Sequence, residues 1–204
     1  MSAIPENHRN PTRSPWLRRS LLFCACTIVL LSLFPGLAAA DETDIQAQQT
    51  KIRAAYLYHF LQLVKWPSED SGASETAFSI CIIGKDPFGD ILEVVAKKKA
   101  RGRDIVIRRL TDSHQLERCH ILYISLALNA QVSEILKAAD TQNVLTVSSS
   151  KDFAAKGGMI EFMTVADDSE GGSRVRFEIN LAAARKQGFK INSKLLELAT
   201  HVRQ

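Results

Sequence analysis

The chain has 204 residues, of which 26 are basic and 22 acidic, and a formal net charge of +4. Four of the basic residues and one acidic residue lie in the first 40 positions, which leaves 22 basic and 21 acidic residues, a charge of +1, for the other 164. This near-neutral remainder gives no support to a nucleic-acid partner, which requires a concentrated basic surface, and its length suits one hydrophobic core.

The first 40 residues have the three parts of a secretory signal. Four arginines between positions 9 and 19 precede an apolar run at residues 21–33, and the alanines at 38–40 supply the small side chains that signal peptidase needs. We predict cleavage between Ala40 and Asp41, which leaves residues 41–204 as a single exported domain in the periplasm. An uncleaved anchor fits less well because the run is shorter than the roughly 20 residues that span a bilayer. No lipid anchor is predicted, because the residue before an acylated cysteine is normally small and the large Phe23 precedes Cys24.

The first predicted elements are a helix and a strand followed directly by another helix. Residues 44–66 carry apolar side chains at helical spacing, and Pro67 ends this predicted helix. Residues 77–84 form the continuous apolar run that is typical of a buried strand. Asp86 and Pro87 then fit the N-cap and first positions of a helix that reaches about Lys98.

The rest of the chain continues to alternate between strands and helices. The predicted strands are residues 104–110, 120–125, 144–148, 159–166 and 174–180, and the predicted helices are residues 130–139, 181–186 and 192–202. Such alternation favours a parallel sheet, and the last two strands favour a hairpin. We therefore predict an α/β fold with a mainly parallel sheet of about five to six strands, an antiparallel hairpin and helices on both faces.

Two cysteines, Cys81 and Cys119, remain after the predicted cleavage. Two thiols in an oxidising compartment, one in a predicted strand and one just before another, are candidates for a disulfide, and buried unlinked thiols are the alternative. A bridge would contribute at most about 4 kcal/mol to the free energy of unfolding by closing a loop of about 38 residues. Neither a C-x-x-C motif nor a cluster of histidines is present, so we predict no metal site.

No motif of any reaction class stands out in the sequence. The D-P-F-G segment that starts at Asp86 could hold an anion at a helix amino terminus, but the Gly-rich fingerprint and the P-loop lysine are absent, so a capping role is favoured. The histidines are scattered, and no Ser or Cys lies in a G-x-S-x-G turn. We therefore predict a protein that is not an enzyme and uses no cofactor.

The densest basic stretch runs from Lys97 to Arg109 and includes three consecutive lysines. A solvated helix end that offsets the helix dipole is the favoured interpretation. The alternative is a surface that meets an acidic patch on a partner.

The best candidate for a binding site lies in the last quarter of the chain. Strand alternation places Glu178 on the face opposite Phe177 and Ile179. Apolar side chains would form the floor of this site and polar side chains its rim, as in a partner surface or a ligand pocket. The predicted site residues are Glu178, Leu181, Lys190, Ile191, Asn192 and Leu196. The alternative is that Leu181, Ile191 and Leu196 are simply core.

Seven segments of the sequence together resemble the YfiR-like family of periplasmic proteins. They keep their order and span nearly all of residues 51–200. The segments are KIRAAYLYHFLQLVKWP (51–67), ICIIGKDPFG (80–89), CHILYIS (119–125), VLTVS (144–148), GGMI (157–160), RFEINLAAA (176–184) and INSKLLELA (191–199).

The resemblance implies a periplasmic repressor of α/β fold that binds the periplasmic sensor region of an inner-membrane diguanylate cyclase and keeps cyclic di-GMP and biofilm formation low. It further implies a homodimer and an outer-membrane or periplasmic sequestering protein as partners. The family's founding member carries two disulfides, and this chain matches only the pair formed by Cys81 and Cys119. The second pair, expected near residues 151–159, is missing, so redox control through that bridge is not expected.

Two other functions compete with this one. The first is a periplasmic small-molecule binding module, whose melting temperature would rise with its ligand and without a protein partner. The second is an enzyme whose catalytic residues come together only in the fold.

Overall fold

A computed structural model describes residues 37–70, 76–167 and 172–204 of the chain. The chain divides into two units, Met1–Asp44 and Ile45–Gln204, and of the first unit only the helical residues from 37 onward are described. Most of the predicted export signal therefore lies outside the described residues, and the predicted cleavage position stays a prediction. Within the described ranges, no helix is long and apolar enough to cross a membrane.

The first helix, α1, spans Leu37–Leu63 and buries one side against the sheet. Its buried apolar side chains are Ala54, Leu57, Phe60 and Leu61, which recur at the three- and four-residue spacing of one helical face. The helix begins earlier than residue 44, where the sequence pattern places its start.

The carboxyl end of α1 differs from the prediction by three residues. Val64–Lys65 leave the helix as strand β1 and pair antiparallel with strand β9, Lys190–Ile191. Pro67 then begins a separate short helix, α2 (Pro67–Asp70), at the position where a missing N–H costs nothing. The helix therefore ends because a distant strand competes for its last residues, and the local sequence does not contain that information.

The main sheet has eight strands among the described residues. They are β2 (Ala77–Ile83), β3 (Lys99–Ala100), β4 (Arg103–Leu110), β5 (Ile121–Ile124), β6 (Leu145–Ser148), β7 (Ile160–Asp167), β8 (Gly172–Asn180) and β10 (His201–Arg203). Their order in the sheet is β10-β8-β7-β6-β5-β2-β4-β3. Strands β7, β6, β5, β2 and β4 are mutually parallel, β8 and β3 run antiparallel to their neighbours β7 and β4, and β10 lies parallel to β8.

The α/β class is confirmed, but the predicted sheet of five to six mainly parallel strands is wrong, since the sheet is larger and mixed. The two additional strands are its edges. Lys99–Ala100 follows directly after the predicted end of a helix at about Lys98, and residues 201 and 202 of His201–Arg203 are in the predicted last helix, 192–202. That helix stops at Leu198 because Ala199 is extended and the Thr200 N–H donates to the Phe177 carbonyl at 2.8 Å, which starts the pairing of β10 with β8.

The remaining helices are short. The D-P-F-G segment forms a turn rather than the start of a helix, because the Asp86 carboxylate accepts the Phe88 N–H at 2.7 Å and the Gly89 N–H at 3.3 Å. Asp86 thus has a structural role in a turn, and the predicted helix from Asp86 and Pro87 to about Lys98 is wrong in its bounds, because the helix begins at Ile91 after Asp90 and ends at Ala96. The helices are α3 (Ile91–Ala96), α4 (Val132–Ala139), α5 (Leu181–Lys186) and α6 (Ser193–Leu198), with 3-10 turns at Ser113–Gln115 and Leu126–Gln131.

Two hydrophobic cores lie on opposite faces of the sheet. Along β2, Ile80 and Ile82 belong to one core, and Cys81 and Ile83 belong to the other, as strand alternation requires. Helices α1 and α3 pack in the first core and α4 in the second. The chain moves from β2 to β4 in one direction and from β5 to β6 in the other, so right-handed crossovers place α3 and α4 on opposite faces.

The second core contains the predicted disulfide, which is confirmed. Cys81 in β2 and Cys119, two residues before β5, are joined with their Cα atoms 5.8 Å apart. The bridge fastens the loop that precedes β5 to the middle of β2. Both cysteines are buried, so the bridge is also part of the packing.

The first core contains an aromatic cluster around Trp66 and His120. The indole N–H of Trp66 donates to the His120 carbonyl at 3.0 Å, and the Ser79 N–H donates to His120 Nδ1 at 3.1 Å. Phe78 packs edge-on against the imidazole at 4.9 Å between ring centroids. His120 is therefore a satisfied core side chain, which explains why a buried histidine needs no catalytic role here.

Candidate partner-binding surface

The structure brings together half of the predicted site residues. Lys190 and Ile191 form β9, and Asn192 caps α6 by accepting the Lys194 N–H at 2.9 Å. Lys190 and Asn192 are exposed, whereas Ile191 packs in part against the first core. These three consecutive residues therefore present a mixed polar and apolar surface.

The other three predicted residues do not join them. Leu181 is buried and Leu196 is half-buried against the first core, so the core alternative describes both better than a ligand floor does. Glu178 lies on the opposite face of the sheet, since its neighbours Phe177 and Ile179 belong to the first core. Their role in binding stays a prediction, but they do not form one site with Lys190 and Asn192.

Glu178 has a structural partner instead. Its buried carboxylate accepts a hydrogen bond from Arg203 of β10, and this bond raises the pKa of Arg203 above its usual value. Glu161, directly opposite on β7, is also buried and accepts the Asp152 and Ala154 N–H groups at 3.0 and 2.9 Å. Both carboxylates therefore have hydrogen-bond partners that hold neighbouring segments in place.

Lys190, Ile191 and Asn192 line a surface depression of about 290 Å³. Its other walls come from the end of α1, from β1 and from Arg101, whose guanidinium donates to the Val64 carbonyl at 3.2 Å and pairs with Glu69 at 2.7 Å. Pairing of β1 with β9 sets its shape, because Val64 lies opposite Ile191 and Lys65 opposite Lys190. We call this feature the β1–β9 depression.

A longer groove lies between α1 and α3, with a volume of about 380 Å³. Its lining repeats at helical spacing on both sides, so a ridge of each helix borders it. From α1 come Lys51, Ala54, Ala55, Tyr58 and His59, and from α3 and its end come Ile91, Val94, Val95 and Lys98. We call this feature the α1–α3 groove.

The floor of the α1–α3 groove is apolar and its rim is basic. Val94 is 59% exposed, which is high for a side chain of that size and polarity. The Lys98 ammonium lies 5.2 Å from the centre of the Tyr58 ring, and Lys51 stands exposed at the other end. The described lining contains no aspartate or glutamate. The groove therefore favours an apolar ligand surface that is flanked by negative charge.

The groove and the depression meet along α1. Gln62, which lines the depression, donates to the hydroxyl of Tyr58, which lines the groove, at 3.0 Å. Tyr58 in turn donates to the Lys99 carbonyl at 3.1 Å, so its ring is held in place. We refer to the groove and the depression together as the α1 surface.

Part of the basic stretch that the sequence singled out is held in ion pairs. Lys99 pairs with Asp104 at 2.7 Å, and Arg109 pairs with Asp86 at 2.8 Å and with Glu93 at 3.1 Å. Hydrogen bonds to Asp86 and then Glu93 raise the pKa of Arg109. Lys98 is the residue of this stretch that lines the groove, so it fits the interpretation as a surface that meets an acidic partner. The residues held in ion pairs fit the interpretation as a solvated surface.

Sequence reasoning missed the α1–α3 groove because α1 has two faces with helical spacing. The buried face is marked by large side chains, whereas the groove face begins with Lys51 and two alanines that look like ordinary surface. The adjacent valines Val94 and Val95 are the one sequence signal for the groove, because a short helix can bury only one of two adjacent side chains. Val95 is buried and Val94 is exposed. Within the described residues, no group of three His, Cys, Asp or Glu side chains is placed to hold a metal ion.

Comparisons with known proteins give a family and distant structural likenesses. The model of the YfiR/HmsC-like family matches residues 50–200. A search of curated proteins gives no match. Two solved structures have a TM-score of 0.45: a conserved domain protein from Vibrio cholerae O1 biovar eltor, 14% identical over 68% of this chain, and the ABC domain in complex with L-Trp from Streptococcus pneumoniae, 10% identical over 78%. The chain spans 60% of the length of each of these two proteins.

Proposed function

The chain belongs to the YfiR/HmsC-like family of non-enzymatic periplasmic regulators, and we propose that it binds the periplasmic sensor region of an inner-membrane diguanylate cyclase and holds that enzyme inactive. Cyclic di-GMP and biofilm formation would then stay low while the regulator is bound. The observation that carries this proposal is the family match over residues 50–200, which covers nearly all of the unit that starts at residue 45. The disulfide in the second core supports export to an oxidising compartment.

The α1 surface is the place where the sensor would bind. The α1–α3 groove lies between two helices, and the binding of a third helix in such a groove is a common mode of recognition. Its basic rim selects an amphipathic helix of the sensor that carries acidic residues beside its apolar stripe. A second copy of this chain seated groove to groove would instead bring Lys51 and Lys98 against their own equivalents, which like-charge repulsion opposes.

The β1–β9 depression would extend this contact with Lys190, Ile191 and Asn192, the part of the predicted site that lies together. The homodimer and the sequestering protein implied by the resemblance stay predictions, and they would have to use other surfaces or compete for this one.

Repression follows from a difference in affinity between two states of the sensor. A regulator that binds the inactive state more tightly shifts the population toward it by that difference and no further. Reversing a 1:99 distribution requires about 5.5 kcal/mol of differential binding. A few well-packed apolar side chains carry most of the energy in such interfaces, so the exposed Val94 is the position to test first.

The experiment is a binding titration of the exported protein with the periplasmic region of an inner-membrane diguanylate cyclase from the same genome. Val94→Asp places a charge on the apolar floor of the groove and should weaken binding by at least about tenfold. Leu126→Asp is the matched control, because Leu126 is equally exposed, at 58%, and does not line the α1 surface. Lys51→Glu should also weaken binding, and raising the salt concentration should reduce that effect.

Three results would count against the proposal. Absence of binding by the wild-type protein contradicts the assigned partner. Equal losses for Val94→Asp and Leu126→Asp contradict the assigned surface. Unchanged cyclase activity on saturation with the regulator contradicts repression even when binding occurs.

A further inference from the structure

A third cavity lies on the opposite face of the sheet from the α1 surface, and its volume is about 740 Å³. Its floor is made by alternate residues of β2 and β4, namely Ala77, Ser79, Val106 and Arg108. Their neighbours Phe78, Ile80, Ile105 and Ile107 all face the first core, so the floor residues face the other way. One wall is Glu117 and Arg118. We call this feature the arginine cavity.

The wall of the arginine cavity is firmly attached to its floor. The Cys81–Cys119 bridge fastens the residue next to Arg118 to β2, and the Ser79 hydroxyl donates to the Arg118 carbonyl. Arg108 reaches from the floor to the wall, where its guanidinium donates to the Glu117 carbonyl and approaches Cys119 Sγ at 3.8 Å. The cavity therefore exists before any ligand binds, which lowers the ordering cost of binding.

The charges around the arginine cavity are unbalanced. Arg108 makes its hydrogen bonds to backbone carbonyls and to sulfur, and Arg118 has an exposed side chain. Within the described part of the chain, neither guanidinium pairs with a carboxylate. Glu117 supplies one negative charge at the wall, so the side chains leave a net charge of about +1 facing the cavity.

The floor also offers an apolar contact beside these charges. Val106 is 46% exposed and lies opposite Ser79 of β2 in the sheet. Ala77, two residues before Ser79 on the neighbouring strand, lines the same cavity. A ligand with one oxyanion group and a compact apolar body would neutralise the arginines and cover Val106.

We propose that the arginine cavity binds a small monocarboxylate with a compact apolar body, whose carboxylate is held by Arg108 and Arg118. Guanidinium groups match carboxylates in shape and charge. The net charge favours a monoanion, because a phosphate dianion would leave uncompensated negative charge beside Glu117. This ligand site is separate from the α1 surface and does not depend on the proposed cyclase partner.

The test is a titration of the full exported protein with benzoate and with benzamide, followed by ¹H–¹⁵N chemical shifts of the Ser79, Val106 and Arg118 amides. Benzamide has the shape of benzoate without its charge. Benzoate should shift these three amides in a saturable way, and benzamide should bind about tenfold more weakly or not at all.

Three variants locate the site by charge. Arg118→Gln removes an exposed charge, keeps a Cβ at the left-handed φ of 62°, and should weaken benzoate binding by about tenfold. Glu117→Gln removes the opposing charge and should strengthen benzoate binding. Arg185→Gln is the matched control, because Arg185 is an exposed arginine in the last turn of α5 and should leave binding unchanged.

Several results would overturn the assignment. They are the absence of benzoate-induced shifts at these amides, equal binding of benzamide, tighter binding of inorganic phosphate than of benzoate, and retention of benzoate binding by Arg118→Gln. None of these results would bear on cyclase binding, which uses the other face of the molecule.

Discussion

Gly158 shows how a single residue can be fixed by packing rather than by backbone conformation. A Cβ atom at this position would lie 2.1 Å from Cε1 of Phe153, whose ring is fully buried and cannot move aside. The Gly158 N–H also donates to the Phe153 carbonyl at 3.0 Å, which holds the two residues together. Gly158→Ala should therefore lower the free energy of unfolding by about 1–3 kcal/mol, measured by urea denaturation.

The control for this prediction changes the ring instead of the glycine. In a Phe153→Leu background the clash is relieved, so the further cost of Gly158→Ala should be smaller than in the wild type. Equal costs in the two backgrounds would show that the penalty has a source other than this contact.

Tyr123 gives the structure a dependence on alkaline pH. Its burial raises the pKa of the phenol above the usual value of 10.0, an effect that the hydrogen bond to Ser149 reduces in part. The unfolded chain therefore loses this proton at lower pH than the folded chain, so stability falls as pH rises above about 10. Tyr123→Phe should show a shallower decline than the wild type between about pH 9 and 11 in urea denaturation. Parallel declines would contradict the role of Tyr123.

Predictability at this scale depends on how far away the deciding neighbour lies. Alternation alone placed Glu178 on the correct face of β8, because that rule needs only adjacent residues. Its partner Arg203 was not foreseen, since the pair forms only when β10 aligns with β8. The helix start predicted at Asp86 was wrong, because a turn and a helix start use the same side-chain hydrogen bond and the helix begins only at Ile91.

Among the elements, β10 is the one whose formation can be tested by a single hydrogen bond. Thr200→Pro removes the N–H that donates to Phe177, while Ala199 already has the extended backbone that a residue before proline prefers. We expect β10 to detach from β8, with faster amide hydrogen exchange at both strands and a loss of about 1–3 kcal/mol. Thr200→Ala retains the N–H and should keep the wild-type exchange pattern. Unchanged exchange in Thr200→Pro would show that side-chain contacts alone hold β10.

Long periodic elements were predictable and short paired ones were not. The predicted core of α1 and strands β2, β4, β5, β6, β7 and β8 all appear in the structure within a few residues. Strands β1, β3, β9 and β10 have two or three residues each, too few to show any period. Strands β3 and β10 form by pairing with the open edges of β4 and β8, whereas β1 and β9 form by pairing with each other. This information resides in the tertiary structure.

At the scale of the whole molecule, the disulfide links two segments of the sheet that are 38 residues apart in sequence. Cys81→Ser should lower the free energy of unfolding by about 2–4 kcal/mol, chiefly because the unfolded chain gains freedom. Cys119→Ser should cost a similar amount, and a reducing agent should bring the wild type close to both variants. Wild-type melting of Cys81→Ser without reductant would contradict a stabilising bridge.

The candidate surfaces were only partly foreseeable, because they combine elements that are far apart in the chain. The sequence pointed to Lys190, Ile191 and Asn192, which the structure brings to the β1–β9 depression. It could not show that α3 lies beside α1, or that Arg118 faces Arg108 across β2, since both juxtapositions follow from the order of strands in the sheet. The result is one broad surface and one cavity on opposite faces, which separate experiments can address.

Trp66 provides an intrinsic fluorescence signal. It is the only tryptophan among the described residues, and cleavage at the predicted position would remove Trp16, the other one in the chain. Its indole is buried against Phe78, His120 and Phe189, directly after the strand that lines the β1–β9 depression. The intrinsic fluorescence of the exported protein would then come from a single emitter beside the proposed interface, which needs no attached dye to follow partner binding in real time.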